Sequence, residues 1–352
     1  MSTIIYTKAN STALEDGQND LIESSVRLLM EKESETLSAT PGICDLLFNV
    51  EDSQKYAETL VNHSEFGLFD AVNEGDGAAP LDAKELSRRM VEHIQFMGEF
   101  GISANMLEDA TSGLAADSRR LVQSFIRSYY RTRNKIAELA LANGTSVSFS
   151  YGDTTVDTTS PDGFPVFCSI HPIGDSEEKQ SNAYYKAREA DEAISAELVE
   201  KYLEQLSVIM RNMKDENGEV LGYEADTIII PGNNYKLESA VRKAVSSVNT
   251  CGTSLNDSNL QYGKWKIIVL PHWKTPLDSF IIMSSEANKA LGGNMFFNRV
   301  PLTVKSWEDY HTGNRMWNGR CRLGVGFGSY KHMIHFTSVE NGVTVPGVST
   351  LS

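Results

Sequence analysis

The chain has 352 residues, a net charge of −15 and 41% hydrophobic residues. That length accommodates two or three units with cores of their own, and the acidic balance argues against a dedicated DNA-binding module, whose footprint is a broad basic patch. No apolar run approaches the roughly 20 residues of a membrane span. The first ten residues lack the charged start and long apolar core of a secretory signal. Cys44, Cys168, Cys251 and Cys321 stand far apart, so neither a membrane partner nor a disulfide framework is expected.

Residues 1–40 are polar and acidic and read as an extended arm. A short amphipathic helix is expected through Leu21, Ile22, Ser25, Leu28 and Leu29. Residues 63–100 centre on the turn-forming run Asn73-Glu74-Gly75-Asp76-Gly77. Leu86, Met90, Ile94 and Met97 suit a helix there, whereas Ile94-Gln95-Phe96 suits a strand, and local pattern leaves both open. So few apolar residues around a Gly/Asp tip point to a projecting loop.

Residues 113–143 predict one long helix. Leu114, Leu121, Phe125, Tyr129, Thr132, Ile136 and Leu139 recur every three or four positions, with Gly144 as the helix-ending residue. At 1.5 Å per residue the helix is roughly 45 Å long, more than the ~30 Å width of a small domain. It carries six basic and two acidic residues, whereas residues 1–112 hold 21 Asp/Glu against 7 Lys/Arg. Such a helix has either a solvated basic face or a face that meets an acidic partner.

Residues 144–163 read as strand and loop, and 172–183 as polar loop. Ser195 caps a second helix whose stripe is Leu198, Val199, Tyr202, Leu203, Leu206, Ile209, Met210 and Met213. A buried strand at Asp226–Ile230, a helix near Tyr235–Val245, and strands at Trp265–Leu270 and Phe280–Met283 follow. This alternation predicts an α/β unit over 165–298. From Val300 the pattern is β, through Leu302–Val304, Arg320–Phe327 and Lys331–Phe336, and 337–352 is a poorly specified tail.

Little in the chain points to catalysis. Gly324, Gly326 and Gly328 lack the spacing and following helix of a phosphate loop, and fit small residues on a tightly packed strand. Cys168 and His171 supply half a zinc ligand set, so a structural loop is expected and no metal. His332 and His335 fall three apart in an expected strand, on opposite faces. There is neither a Gly-x-Ser-x-Gly elbow nor a His-Glu-x-x-His motif. Trp265, Trp273, Trp307 and Trp317 read as core or interface anchors.

The order of parts resembles a known family. An acidic arm and a Gly/Asp-tipped loop precede Phe100-Gly101-Ile102-Ser103-Ala104-Asn105-Met106-Leu107-Glu108-Asp109 and the Arg-rich helix. Asp162-Gly163-Phe164-Pro165-Val166-Phe167, a helix and Ala225-Asp226-Thr227-Ile228-Ile229-Ile230-Pro231 follow. From about residue 40 to 336 this layout is similar to the major capsid (major head) proteins of tailed bacteriophages, in the Mu-like branch of the Hong Kong 97-type fold.

The resemblance implies an α+β fold. Its parts would be an N-terminal arm (1–62), an extended β-hairpin loop (63–100), and a peripheral domain (101–164 and 299–336) with a spine helix (113–143). An axial domain (165–298) and a C-terminal tail (337–352) would complete it. It implies a structural protein and no enzyme, without cofactors. Hexamers and pentamers of the chain would form an icosahedral shell around double-stranded DNA, bound non-specifically, in a virion assembled in the host bacterial cytoplasm. Portal and scaffolding proteins are the implied partners. Arg127 and Arg131 of one spine would then meet acidic residues such as Glu74 and Asp76 of another copy. Two other readings are an encapsulin-like compartment and an α/β enzyme with a cleft near His171 or His272.

Overall fold

The computed structural model describes residues 5–8, 17–63, 66, 68–69, 71–73, 85–103, 105–106, 116–174, 176–189, 193–250, 258–340, 343 and 345–351. It is α+β, and two sheets organise it. The first has the order β1-β14-β15-β5, with β2 also on β14. Its strands are β1 (Ile5–Lys8), β2 (Asn49–Asp52), β5 (Ile94–Ile102), β14 (Asn294–Glu308) and β15 (Arg315–Phe327). β14 and β15 form a long antiparallel hairpin, and β5 pairs along β15 from Ile94↔Leu323 to Ile102↔Arg315.

The second sheet has six strands in the order β12-β11-β13-β16-β10-β17. They are β10 (Ala183–Arg188), β11 (Thr227–Pro231), β12 (Lys266–Leu270), β13 (Asp278–Met283), β16 (Met333–Glu340) and β17 (Ser349–Thr350). β11 is buried at every residue, as expected of a strand covered on both faces. Ile228, Ile230, Phe280, Ile282, Ile334 and Phe336 pack into a core with α4 (Ala196–Arg211) and α5 (Tyr235–Ser246). The alternate residues Ile229, Ile281, Met283 and Met333 turn to a larger core shared with the first sheet. The period-two alternation of strands thus lets one sheet serve both cores.

α4 and α5 lie where their patterns place them. Ser195 Oγ accepts from the Leu198 amide at 3.3 Å and Asn234 Oδ1 from the Leu237 amide at 3.1 Å, satisfying donors that helix starts leave unpaired. Of the eight stripe residues expected on α4, Leu198 and Ile209 are half-buried and the other six buried.

Four expectations are corrected. The 333–340 segment pairs with β13 and β10, and β17 adds to β10, so this stretch and part of the tail complete the six-stranded sheet. The polar run before residue 190 hides β10, a strand the local pattern missed. Conversely, β14 starts at Asn294 and belongs to the first sheet. α1 (Gly17–Ala39) is longer than expected; it buries Val26, Met30, Glu33 and Ser34, and Leu28 is exposed.

The long helix is α3 (Ala116–Ala142), 27 residues and roughly 40 Å. Phe125 does meet the first sheet, 4.9 Å from the Phe100 ring. The buried face is wider than the expected stripe, taking in Val122, Ile126, Arg133, Ala137 and Ala140 while leaving Leu121 exposed. The cause is that α1 and α2 (Ile43–Leu47) also pack on it. Gly144 follows the helix for reasons of space: a Cβ there would come within 2.7 Å of both Phe167 and Val166.

Candidate functional site

β3 (Ala57–His63) and β4 (Glu85–Glu92) form a two-stranded antiparallel hairpin, which settles the helix-or-strand question for 85–102 in favour of strand. The register runs from Ala57↔Glu92 to Asn62↔Ser87, so the hairpin begins before residue 63. β5, within the expected loop, is instead the edge strand of the first sheet.

The hairpin is packed on the body near its base, and further along Asn62, Leu86 and Ser87 border a cavity lined by Ser160, Pro172 and Tyr330. Val91 packs with Leu60, Met295 and Phe297. This approach requires the glycines of β15: a Cβ on Gly326 would sit 2.5 Å from Val91, and one on Gly324 2.8 Å from His93 Nδ1. The glycine run is thus a close-packing device, as the sequence suggested. Arg89 Nε donates to Asp157 Oδ2 at 2.8 Å, joining β4 to β7 (Thr154–Asp157), which pairs with β6 (Ser148–Tyr151).

Further out, the described residues expose large apolar side chains. Phe66 is 63%, Leu68 71%, Phe69 93% and Val72 55% exposed. Four such groups fall within seven residues of sequence, a denser run than the singly scattered exposed apolar residues of an ordinary surface.

Arg127 finds its partner within the chain: its Nε donates to Glu33 Oε1 of α1 at 2.7 Å, and Gln123 Nε2 reaches Glu33 Oε2 at 3.2 Å. Ser34 and Tyr130 share a bond at 3.0 Å one turn on. Part of the acidic arm therefore lies on the basic helix of its own copy. Arg131 is exposed and has no ion pair among the described residues. Glu74 and Asp76 lie outside the described residues.

The two histidines of the enzyme reading are bound to carboxylates. His171 Nδ1 lies 2.6 Å from Asp162 Oδ2, and its ring stacks 3.7 Å from that of Tyr330. Burial pushes the Asp162 carboxyl upward, but bonds from His171 and Ser160 outweigh it and hold the group below its ordinary value. Both the amide and Nδ1 of His272 meet Glu138 Oε2, at 2.8 and 2.9 Å, which joins α3 to the turn after β12. Burial pushes the Cys44 thiol up to about 12, despite Arg133 nearby, and Cys321 to about 11; neither is poised as a thiolate nucleophile. Among the described residues no three His, Cys, Asp or Glu cluster as metal ligands, and no helix is long and apolar enough to cross a membrane.

His332 lies in the turn before β16, donating Nε2–H to Asn294 Oδ1 at 2.9 Å, whereas His335 lies in β16 against Phe167 and Trp273. The two serve different packings. Trp317 is fully buried and stacks on Phe100 at 5.2 Å; Trp265 and Trp273 are also buried.

No family model matches the chain, and no curated protein sequence does. Solved structures are similar to it at low identity. The capsid of Myoviridae phage XM1 matches with 13% identity over 85% of this chain and 92% of that one, at a TM-score of 0.45. The capsid of Ralstonia phage GP4 matches with 10% identity over 85% and 88%, at 0.48. A virus-like particle from Pyrococcus furiosus matches with 8% identity over 89% and 98%, at 0.46.

Proposed function

We propose that this chain is the major capsid protein of a tailed phage, a structural protein whose copies tile an icosahedral shell around double-stranded DNA. The observation that carries the reading is the hairpin. Its base is packed on the body, while Phe66, Leu68, Phe69 and Val72 face solvent. Burying an apolar side chain of this size is worth about 1.5–3 kcal/mol, so four contribute about 6–12 kcal/mol per copy before ordering entropy. A second copy is the partner that a shell supplies.

The rest of the layout supports the same reading. A long helix braced by α1, α2 and the first sheet makes a stiff plate, on which the N-terminal segment lies and beside which the hairpin stands as a two-stranded ribbon. Arms add interface without enlarging the core, which suits closed symmetric assembly. Hexamers and pentamers of the chain are the expected building blocks. Portal and scaffolding proteins are the expected partners, packaged DNA is held non-specifically, and assembly takes place in the host cytoplasm. Arg131 remains available for an acidic loop such as Glu74–Asp76 of a neighbour, whereas Arg127 is already committed to Glu33.

Negative-stain microscopy of the purified chain tests the proposal. Closed particles are expected, and a persistently compact monomer under assembly conditions overturns it. Nuclease-protected DNA in particles isolated from cells distinguishes a genome shell from a cargo compartment.

A further inference from the structure

The hairpin leaves the body through two legs, and both are tied to one hydroxyl. Ser53 follows β2 on the outgoing leg, and His93 is the single residue between β4 and β5 on the returning leg. Ser53 Oγ donates to Glu58 Oε1 at 2.7 Å, and His93 Nε2 lies 3.1 Å from the same oxygen. Because the hydroxyl hydrogen is committed to Glu58, Ser53 accepts from His93, which places the imidazole proton on Nε2. Lys55 Nζ holds the other Glu58 oxygen at 3.0 Å, and the Lys55 amide also donates to Ser53 Oγ at 3.3 Å.

The other ring nitrogen has nowhere to put a proton. His93 Nδ1 is buried without a hydrogen-bond partner among the described residues and faces the backbone of Gly324 on β15. The ring is edge-on to Phe297 of β14 at 6.2 Å. The charged groups around it are Arg322 of β15 and Arg299 of β14, opposed by Glu58 of β3. A second proton would therefore be a buried, unbonded charge beside two guanidinium groups, with one carboxylate already shared with Ser53 and Lys55.

We infer that His93, Ser53 and Glu58 form an acid-sensitive latch at the hairpin base, closed while the imidazole is neutral and released when it takes a second proton. The latch belongs to the single chain and holds whether or not the chain builds a shell. Burial, then Arg322, keeps the His93 pKa below its ordinary value. A group depressed in this way stabilises the closed form above its ordinary pKa and loses that contribution as pH falls. Release frees the returning leg to turn about residue 93, while Arg89–Asp157 and the packing of Val91 on Met295 and Phe297 become the remaining ties.

Amide hydrogen exchange on the full-length chain, corrected for the intrinsic rate, tests this at pH 7.5 and pH 5.0. Residues 57–63 and 85–92 are expected to lose protection several-fold at pH 5.0 while β11 and β13 retain theirs. His93→Gln, which cannot titrate, is expected to remove the difference between the two pH values. Ser53→Ala is expected to show the fast exchange at both. The proposal is overturned if wild type and His93→Gln respond to pH alike, if the hairpin is equally protected at both pH values, or if β11 and β13 lose protection in step with the hairpin.

Discussion

The six-stranded sheet and the β3–β4 hairpin are both built of strands, and they differ in how far their own chain covers them. The sheet is covered on both faces by side chains of its own chain, so β11 has no exposed residue. The hairpin has one ladder, a small apolar contact at its root and an outer end whose aromatic residues meet solvent. A two-stranded ribbon is marginal in water without further packing. The first region is folded by the chain alone, and on the proposed function the second is finished by another copy. The difference is visible in where large hydrophobic side chains end up.

The largest expected effects break that comparison directly. Phe336→Ala removes a fully buried ring that packs on Tyr202 and Phe280 and is expected to cost about 3–5 kcal/mol in denaturant unfolding. Phe69→Ser is expected to leave unfolding within about 0.5 kcal/mol of wild type and to impair assembly. Equal unfolding losses in the two variants would erase the distinction.

Acid sharpens it next. His332 and His335 are buried neutral in the region where the two sheets meet, with pKa values pushed by burial to about 3 and about 4. The unfolded chain takes these protons near pH 6.5, so stability falls as pH drops from there toward those values. At pH 5 the loss is about 2 kcal/mol per histidine, an upper limit that relaxation reduces. Urea midpoints measured from pH 7.5 to 5 should fall, and less so in His335→Phe.

The smallest effect concerns the basic helix. Arg127→Ala is expected to cost about 1 kcal/mol or less in stability, because the guanidinium is half exposed. Arg131→Glu should leave folding unchanged and reduce the yield of particles. Normal particle yield from Arg131→Glu would remove that residue from the inter-subunit contacts.

Much of the fold was legible where signals were local. α4 could be read because a cap and an apolar stripe agree, α5 because an amphipathic run follows Pro231-Gly232, and β11 because three isoleucines run up to that turn signal. β10 was not legible: Ala183-Tyr184-Tyr185-Lys186-Ala187-Arg188 becomes an inner strand only because β16, some 150 residues away, lies beside it in parallel register. The same long-range pairing moved 333–340 from one sheet to the other. The width of the α3 buried face depended on α1 and α2 packing there, which periodicity within α3 does not record.

The candidate surface was half legible. The Gly/Asp tip beyond Asn73 lies outside the described residues, and the hydrogen bond at the hairpin root joins Ser53 to His93, 40 residues apart, with no local pattern. The pairing of Arg127 with Glu33 was hidden for a related reason. Charge asymmetry says that acidic and basic segments will meet, and packing decides that Glu33 of the same chain arrives first.

The central claim is that the hairpin is completed by a second copy of the chain. Electron microscopy and sedimentation of wild type and Phe66→Ser/Phe69→Ser, side by side, address it most directly. The account predicts closed particles from wild type, and from the double variant a monomer or small oligomer with wild-type unfolding behaviour. A double variant that assembles as wild type does, or a wild type that never leaves the monomer, would contradict it.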